Sequence, residues 1–168
     1  MSHRRPPAAT SQPYVTAAGL RALEAEVRAL WVRRREVVVH LSAAAAEGDR
    51  SENAEYLYRK KELREIDRRL GYLQRRLPTL TVVRSVPADR GRVFFGARVE
   101  LQSADGASHR YRIVGSDEAE IARGEISLDA PLARALMGRA LDDEVVFGEG
   151  ELSRRFIIVD ISYPDPEA

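Results

Sequence analysis

Along two stretches of this chain, apolar residues recur in steps of alternately three and four, and that spacing restricts the fold more than any other feature. Leu20, Leu23, Val27 and Leu30 follow it, and Val37, Leu41 and Ala44 resume in register after a single break at Arg34. Leu63, Ile66, Leu70, Leu73 and Leu77 repeat it further on. Such a seam buries itself against a second helix carrying the same repeat. Thr16 is a plausible N-cap for the first helix, and Pro78 stops the second. A helix over 17–46 would extend about 45 Å at 1.5 Å per residue. Two seams joined by a short polar link predict an antiparallel coiled-coil hairpin.

After Pro78 the pattern changes to period two. Strands are expected at Arg98–Gln102, Arg110–Val114, Glu125–Leu128, Glu144–Phe147 and Phe156–Ile161, with turns at Asp105-Gly106 and Gly148–Gly150. Pro131–Met137 reads as a short helix, with proline in its first turn and Gly138 just past its end. Strands with one helix predict a small α+β domain around a half-open sheet. The expected organisation is a disordered Pro-rich tail at 1–13, the hairpin at 14–78 with an acidic tip at 47–55, and a C-terminal domain at 79–164.

Charge divides along the same line. Residues 14–77 hold 14 Lys/Arg against 10 Asp/Glu, and residues 78–168 hold 11 against 16. A basic half and an acidic half suit two surfaces with different partners, or simply two solvated faces. With no cysteine, disulfides and thiol chemistry are excluded. Nothing approaches the roughly 20 apolar residues of a membrane span, and no apolar core follows the basic N-terminus as in a secretory signal. A soluble cytoplasmic protein without a membrane partner is the expectation.

Between the seams, Gly48-Asp49-Arg50-Ser51-Glu52-Asn53-Ala54-Glu55-Tyr56 places Glu47, Asp49, Glu52 and Glu55 close together. Asp49 and Glu52 have capping-box spacing. Ser51 or Asn53 can cap instead, which frees Asp49 and Glu52 to project and hold a hard cation. One or two carboxylates are the usual protein share for Mg²⁺. The second helix carries Arg59, Lys60, Lys61, Arg64 and Arg68, with Lys60, Arg64 and Arg68 on one face. They can neutralise phosphates or form a solvated flank with Glu62, Glu65 and Asp67. Tyr56 and Tyr58 can stack on a base or finish the hairpin's packing. His3, His40 and His109 lack ligand spacing, and no nucleophile-elbow, Walker or dinucleotide motif is present. The chain is poorly equipped to be an enzyme by itself.

The tip sequence, Lys60–Arg69 on the second helix, Val93-Phe94-Phe95-Gly96-Ala97, Arg112–Glu118 and Ile126–Leu136 follow one another in an order that resembles the bacterial Gre transcript-cleavage factors of the GreA/GreB family, nearest to the GreB type. The resemblance runs from about Tyr14 to Tyr163. It implies a coiled-coil domain followed by a small FKBP-like α+β domain. It further implies that the C-terminal domain docks at the rim of the secondary channel of bacterial RNA polymerase, and that the hairpin reaches the active centre. Asp49 and Glu52 match the tip acid pair, which would hold Mg²⁺ jointly with the polymerase, with Ser51, Asn53, Glu55 and Tyr56 supporting the tip.

On the same resemblance, Arg59, Lys60, Lys61, Arg64 and Arg68 would contact the extruded 3′ end of nascent RNA, and Ser127, Asp129 and Pro131 would dock to polymerase. Ala130 stands where the family usually has Ser. The expected function is rescue of backtracked polymerase by stimulated cleavage of its RNA, performed by a monomer that is not itself an enzyme. The rivals are a channel-plugging inhibitor of the same fold and a nucleic-acid-binding coiled coil that acts without polymerase. Prolyl isomerase activity would rest on fold alone.

Overall fold

The computed structural model describes residues 11–46, 54–148, 150 and 153–165. Two compact units emerge: residues 20–80, and a second unit formed by 1–19 together with 81–168.

The first unit is the helical pair. Helix α1 (Ala17–Ala46) and helix α2 (Ala54–Arg76) carry the two seams. Val37, Ile66 and Leu70 are buried together, with Val27, Leu30 and Leu63 packed around them. The break at Arg34 is occupied by an ion pair: Arg34 Nε lies 2.7 Å from Asp67 Oδ1 on α2. Arg69 Nε and Nη2 grip the two carboxylate oxygens of Glu26 at 2.6 and 2.9 Å. Bidentate geometry of this kind fixes register as well as adding attraction. Past Arg76 the chain tightens into a 3-10 turn, Leu77–Thr79, because Pro78 cannot continue the α-helical bonding.

The second unit opens with a feature that periodicity did not reveal. Strand β1 (Tyr14–Thr16) pairs in parallel with β2 (Thr81–Val83), and Thr81 N donates to Pro13 O at 2.6 Å. Gln12 and Pro13, placed by sequence in the tail, are therefore hydrogen-bonded residues. Thr16 caps α1 as expected, its Oγ1 accepting from Gly19 N at 2.9 Å.

The remaining strands are β3 (Arg98–Ser103), β4 (Ser108–Val114), β5 (Glu125–Ser127), β6 (Glu144–Phe147) and β7 (Arg154–Ser162), with helix α3 (Pro131–Leu136) between β5 and β6. They form one sheet in the order β5-β4-β3-β7-β6, antiparallel except for the parallel β4–β5 pair. A bulge in β7 opposite Glu100 and Leu101 shifts the register there. Alternation does the sorting. Val99 and Leu101 of β3, Ile113 of β4, Ile158 of β7 and Val145 of β6 turn inward onto Ala133 and Leu136 of α3. Arg98 and Glu100 stand on the opposite face. Among the described residues no helix is long and apolar enough to cross a membrane.

Among the described residues, three groups of this unit bear on its response to pH. Hydrogen bonds from Ser108 and Arg110 hold the Glu100 carboxyl below its ordinary value of 4.5. Ser103 and the Ala107 amide do the same for Asp105. Burial pushes the Tyr163 hydroxyl above 10.0 while it donates to Arg92 O at 2.5 Å. Folded carboxyls with lowered pKa contribute stability above their unfolded values and lose it as pH falls through the folded ones. A raised tyrosine contributes below 10.0 and loses its contribution as pH rises through the folded value. The melting temperature should therefore fall on both sides of a neutral plateau. Ser108→Ala should flatten the acid limb, and Tyr163→Phe the alkaline one, in thermal melts taken across pH.

Candidate functional site

Asp49, Ser51, Glu52 and Asn53 of the expected tip lie outside the described residues. Glu55, in the first turn of α2, is described and exposed. It accepts from Arg59 Nε at 2.8 Å across one helical turn. Arg59 Nη1 continues to Glu62 Oε2 at 3.2 Å, and Glu62 Oε1 receives Arg33 Nη2 from α1 at 2.6 Å. Arg33 also reaches Glu36 at 3.2 Å. This alternating chain of acid and base spans both helices. The hydrogen bond to Glu55 raises the Arg59 pKa first, and that to Glu62 does so for Arg33.

The network separates the five basic residues expected to meet RNA. Arg59 is committed to Glu55 and Glu62. Lys61 stands 3.9 Å from Glu65. Lys60 Nζ lies 5.6 Å from the Tyr56 ring centroid, a cation–π contact that holds the ammonium beside the start of α2. Arg64 and Arg68 are exposed, and among the described residues neither is in an ion pair. Lys60, Arg64 and Arg68 are thus the members of the set with charge available to a phosphate chain, and their spacing aligns them along one side of α2.

In the second unit, the residues expected to dock a partner converge. Ser127 ends β5 and Pro131 opens α3, so the turn between them is fixed at both ends. Asp129 Oδ2 accepts from Ser116 Oγ at 2.6 Å and from Gln12 N at 3.0 Å. Ser116 Oγ lies 2.9 Å from Ser127 Oγ, which accepts from Asp129 N at 3.1 Å. Sequence reasoning assigned no role to Ser116 or Gln12. Ser116 lay within a motif already singled out, and nothing local to Gln12 could have pointed to Asp129. Ala130 is the N-cap of α3 and provides no side-chain cap, the hydrogen bond that a serine there would supply. Beside this turn, a pocket of about 410 Å³ is lined by Tyr14, Val83, Phe94, Phe95, Leu128 and Met137, among others. Its apolar walls suit a partner's side chain.

A second polar junction, also unanticipated, underlies β1. Glu118 Oε1 accepts from Thr16 N and Gly115 N, both at 2.8 Å, and Glu118 Oε2 accepts from Thr16 Oγ1. One carboxylate therefore ties the β1 backbone and the helix cap to the loop after β4.

Comparison with known proteins decides what this arrangement belongs to. Residues 13–82 match the family model described as transcription elongation factor, N-terminal, and residues 88–163 match that for transcription elongation factor, GreA/GreB, C-term. The chain belongs to the GreA/GreB family of transcription elongation factors. It is 54% identical over 165 residues to transcription elongation factor GreB of Xanthomonas axonopodis pv. citri, covering 97% of this chain and 98% of that one. The corresponding GreB of Pseudomonas aeruginosa is 50% identical over 165 residues, covering 98% of each. A solved GreA factor homolog 1 of Thermus thermophilus aligns over 90% of this chain and 99% of its own at 21% identity, with a TM-score of 0.41, too distant to carry an argument. As a GreB-like member of the GreA/GreB family, the chain spans the length of its named relatives and carries both of the family's parts in order.

Proposed function

We propose that this chain binds bacterial RNA polymerase and stimulates endonucleolytic cleavage of the 3′ end of nascent RNA in backtracked complexes, restoring elongation. The reading is carried by the near-full-length match to GreB factors, together with the tip sequence Gly48–Tyr56, which keeps both Asp49 and Glu52. The hydrolytic machinery is the polymerase's own. This chain contributes carboxylates, a rod to deliver them and a domain to anchor the rod.

Two carboxylates are hard oxygen donors and fit Mg²⁺, which retains waters and substrate oxygens for its remaining positions. Among the described residues no group of three ligating side chains makes a separate metal site. Asp49 and Glu52 would hold Mg²⁺ jointly with the polymerase, and the ion would supply Lewis-acid polarisation of a water and of phosphoryl oxygens. Lys60, Arg64 and Arg68 hold the extruded RNA segment by its phosphates, and the Glu55–Arg59–Glu62–Arg33 chain stiffens the helical pair beneath them. Ser127, Asp129 and Pro131 present a pre-ordered turn to the channel rim, with the neighbouring apolar pocket receiving a partner side chain. Each seam is spent on the other helix, which suits a monomer acting in the cytoplasm.

The test is a stalled, backtracked polymerase complex carrying labelled RNA. Addition of this protein should shorten the RNA from its 3′ end and release a short oligonucleotide. Binding without shortening would make the chain a channel blocker. Salt-sensitive binding to free RNA, with no binding to polymerase, would favour action without polymerase.

A further inference from the structure

The outer face of the five-stranded sheet holds a cluster that the elongation-factor reading does not use. Arg98 on β3 and Arg112 on β4 are directly opposed in the antiparallel register. Like charges placed opposite each other across a sheet repel. Among the described residues neither guanidinium has an ion-pair partner, and Arg112 Nε is buried without a hydrogen-bond acceptor. Both line one concave pocket of about 430 Å³.

The pocket's other charges are differently arranged: Arg123, which also lines it, is paired with Glu120 at 2.9 Å. Glu100 accepts from Ser108 Oγ at 2.5 Å and from Arg110 Nε at 2.9 Å, so its charge is already matched. Asp160, opposite Glu100 on β7, completes an acceptor-bearing end of the same pocket. The pocket therefore has one end with two uncompensated cations and another end rich in acceptor oxygens.

We propose that this pocket is a binding site for a dianionic phosphate group, free or carried by a small molecule, with the phosphate between Arg98 and Arg112. Two guanidinium charges are matched by a phosphate dianion, whereas a single carboxylate would balance only one of them. Guanidinium forks bind phosphate oxygens in pairs, and the pocket volume lies in the range of small-ligand sites. A hydroxyl-bearing moiety attached to the phosphate would donate to Glu100 and Asp160. The ligand can be free phosphate or a phosphorylated small molecule such as a nucleoside monophosphate, and the two differ in whether the acceptor end is used.

Full-length ¹⁵N-labelled protein would be titrated with inorganic phosphate and separately with adenosine monophosphate. Ionic strength would be matched with chloride, at a pH where both phosphates are dianionic. Saturable amide shifts should centre on Arg98, Arg112 and Gly124. Tighter binding of the nucleotide would assign a role to Glu100 and Asp160; equal binding would assign the site to phosphate alone. Arg98→Gln should weaken binding at least tenfold. Arg112→Lys should also weaken it, because an ammonium keeps the charge and loses the fork. Shifts that fail to saturate with either probe, or identical titration of wild type and Arg98→Gln, would overturn the proposal. No polymerase is present in this experiment, so its failure leaves the transcript-cleavage reading untouched.

Discussion

Replacing Asp49 with Asn and Glu52 with Gln together should reduce stimulated transcript cleavage by roughly 100-fold or more, the scale on which a directed electrostatic contribution to a transition state is lost. Polymerase binding should be unchanged, because the substitutions leave the proposed docking residues Ser127, Asp129 and Pro131 in place. The choice of amides matters. Asparagine is as good an N-cap as aspartate, and glutamine preserves the capping-box geometry, so a purely structural tip tolerates both changes. A hard cation does not, since neutral amide oxygens surrender the charge that draws it. The readout is the rate of 3′ shortening in a backtracked complex, paired with a competition measurement of polymerase affinity. Undiminished cleavage by the double variant would return Asp49 and Glu52 to a capping role.

The same contrast shows how unevenly the sequence discloses this protein. The seams are legible because burial against a second helix imposes a period that only apolar residues satisfy, and Val37, Ile66 and Leu70 meet where the steps of three and four place them. Even the interruption at Arg34 is informative, since it marks a cross-helix ion pair with Asp67. The sheet strands are legible through alternation, as in Arg98-Val99-Glu100-Leu101. Strands β1 and β2 are not. Each has three residues, too few for a period, and their partners lie 67 positions apart, as Tyr14 to Thr81.

Long-range polar junctions are hidden for a related reason. Glu118 in sequence is one acid in a loop, and its grip on Thr16 appears only when β1 is laid beside the end of β4. Asp129 is likewise visible as a turn residue but not as the acceptor for Ser116 and Gln12. The opposition of Arg98 to Arg112 requires the strand register. At the acidic tip, spacing alone leaves a cap and a cation half-site both open, and only the order of motifs along the whole chain gives a reason to choose.

Gly115→Ala should be the most damaging single methyl addition in the C-terminal unit, lowering its stability by about 3 kcal/mol. Here the requirement for glycine is spatial. A Cβ at this position would meet the carbonyl oxygen of Tyr14 at 2.1 Å and Glu118 Oε1 at 3.0 Å. The first obstacle is backbone and cannot swing aside, so β1 must shift. That shift strains the hydrogen bonds by which Glu118 holds Thr16 N and Gly115 N. It also draws on Gln12, two residues before β1, whose amide is bonded to Asp129. On the proposed docking role of that turn, polymerase affinity should fall along with stability, although none of the side chains proposed to dock has changed. Gly71→Ala supplies the control. On α2 the added Cβ meets only the flexible end of Arg75 at 3.4 Å, and alanine in a helix interior is favoured over glycine by about 1 kcal/mol. Urea unfolding should move in opposite directions for the two variants, and faster amide exchange at Thr16 should appear in Gly115→Ala alone. Equal destabilisation by both would mean that the close approach of Tyr14 to Gly115 is not what demands glycine there.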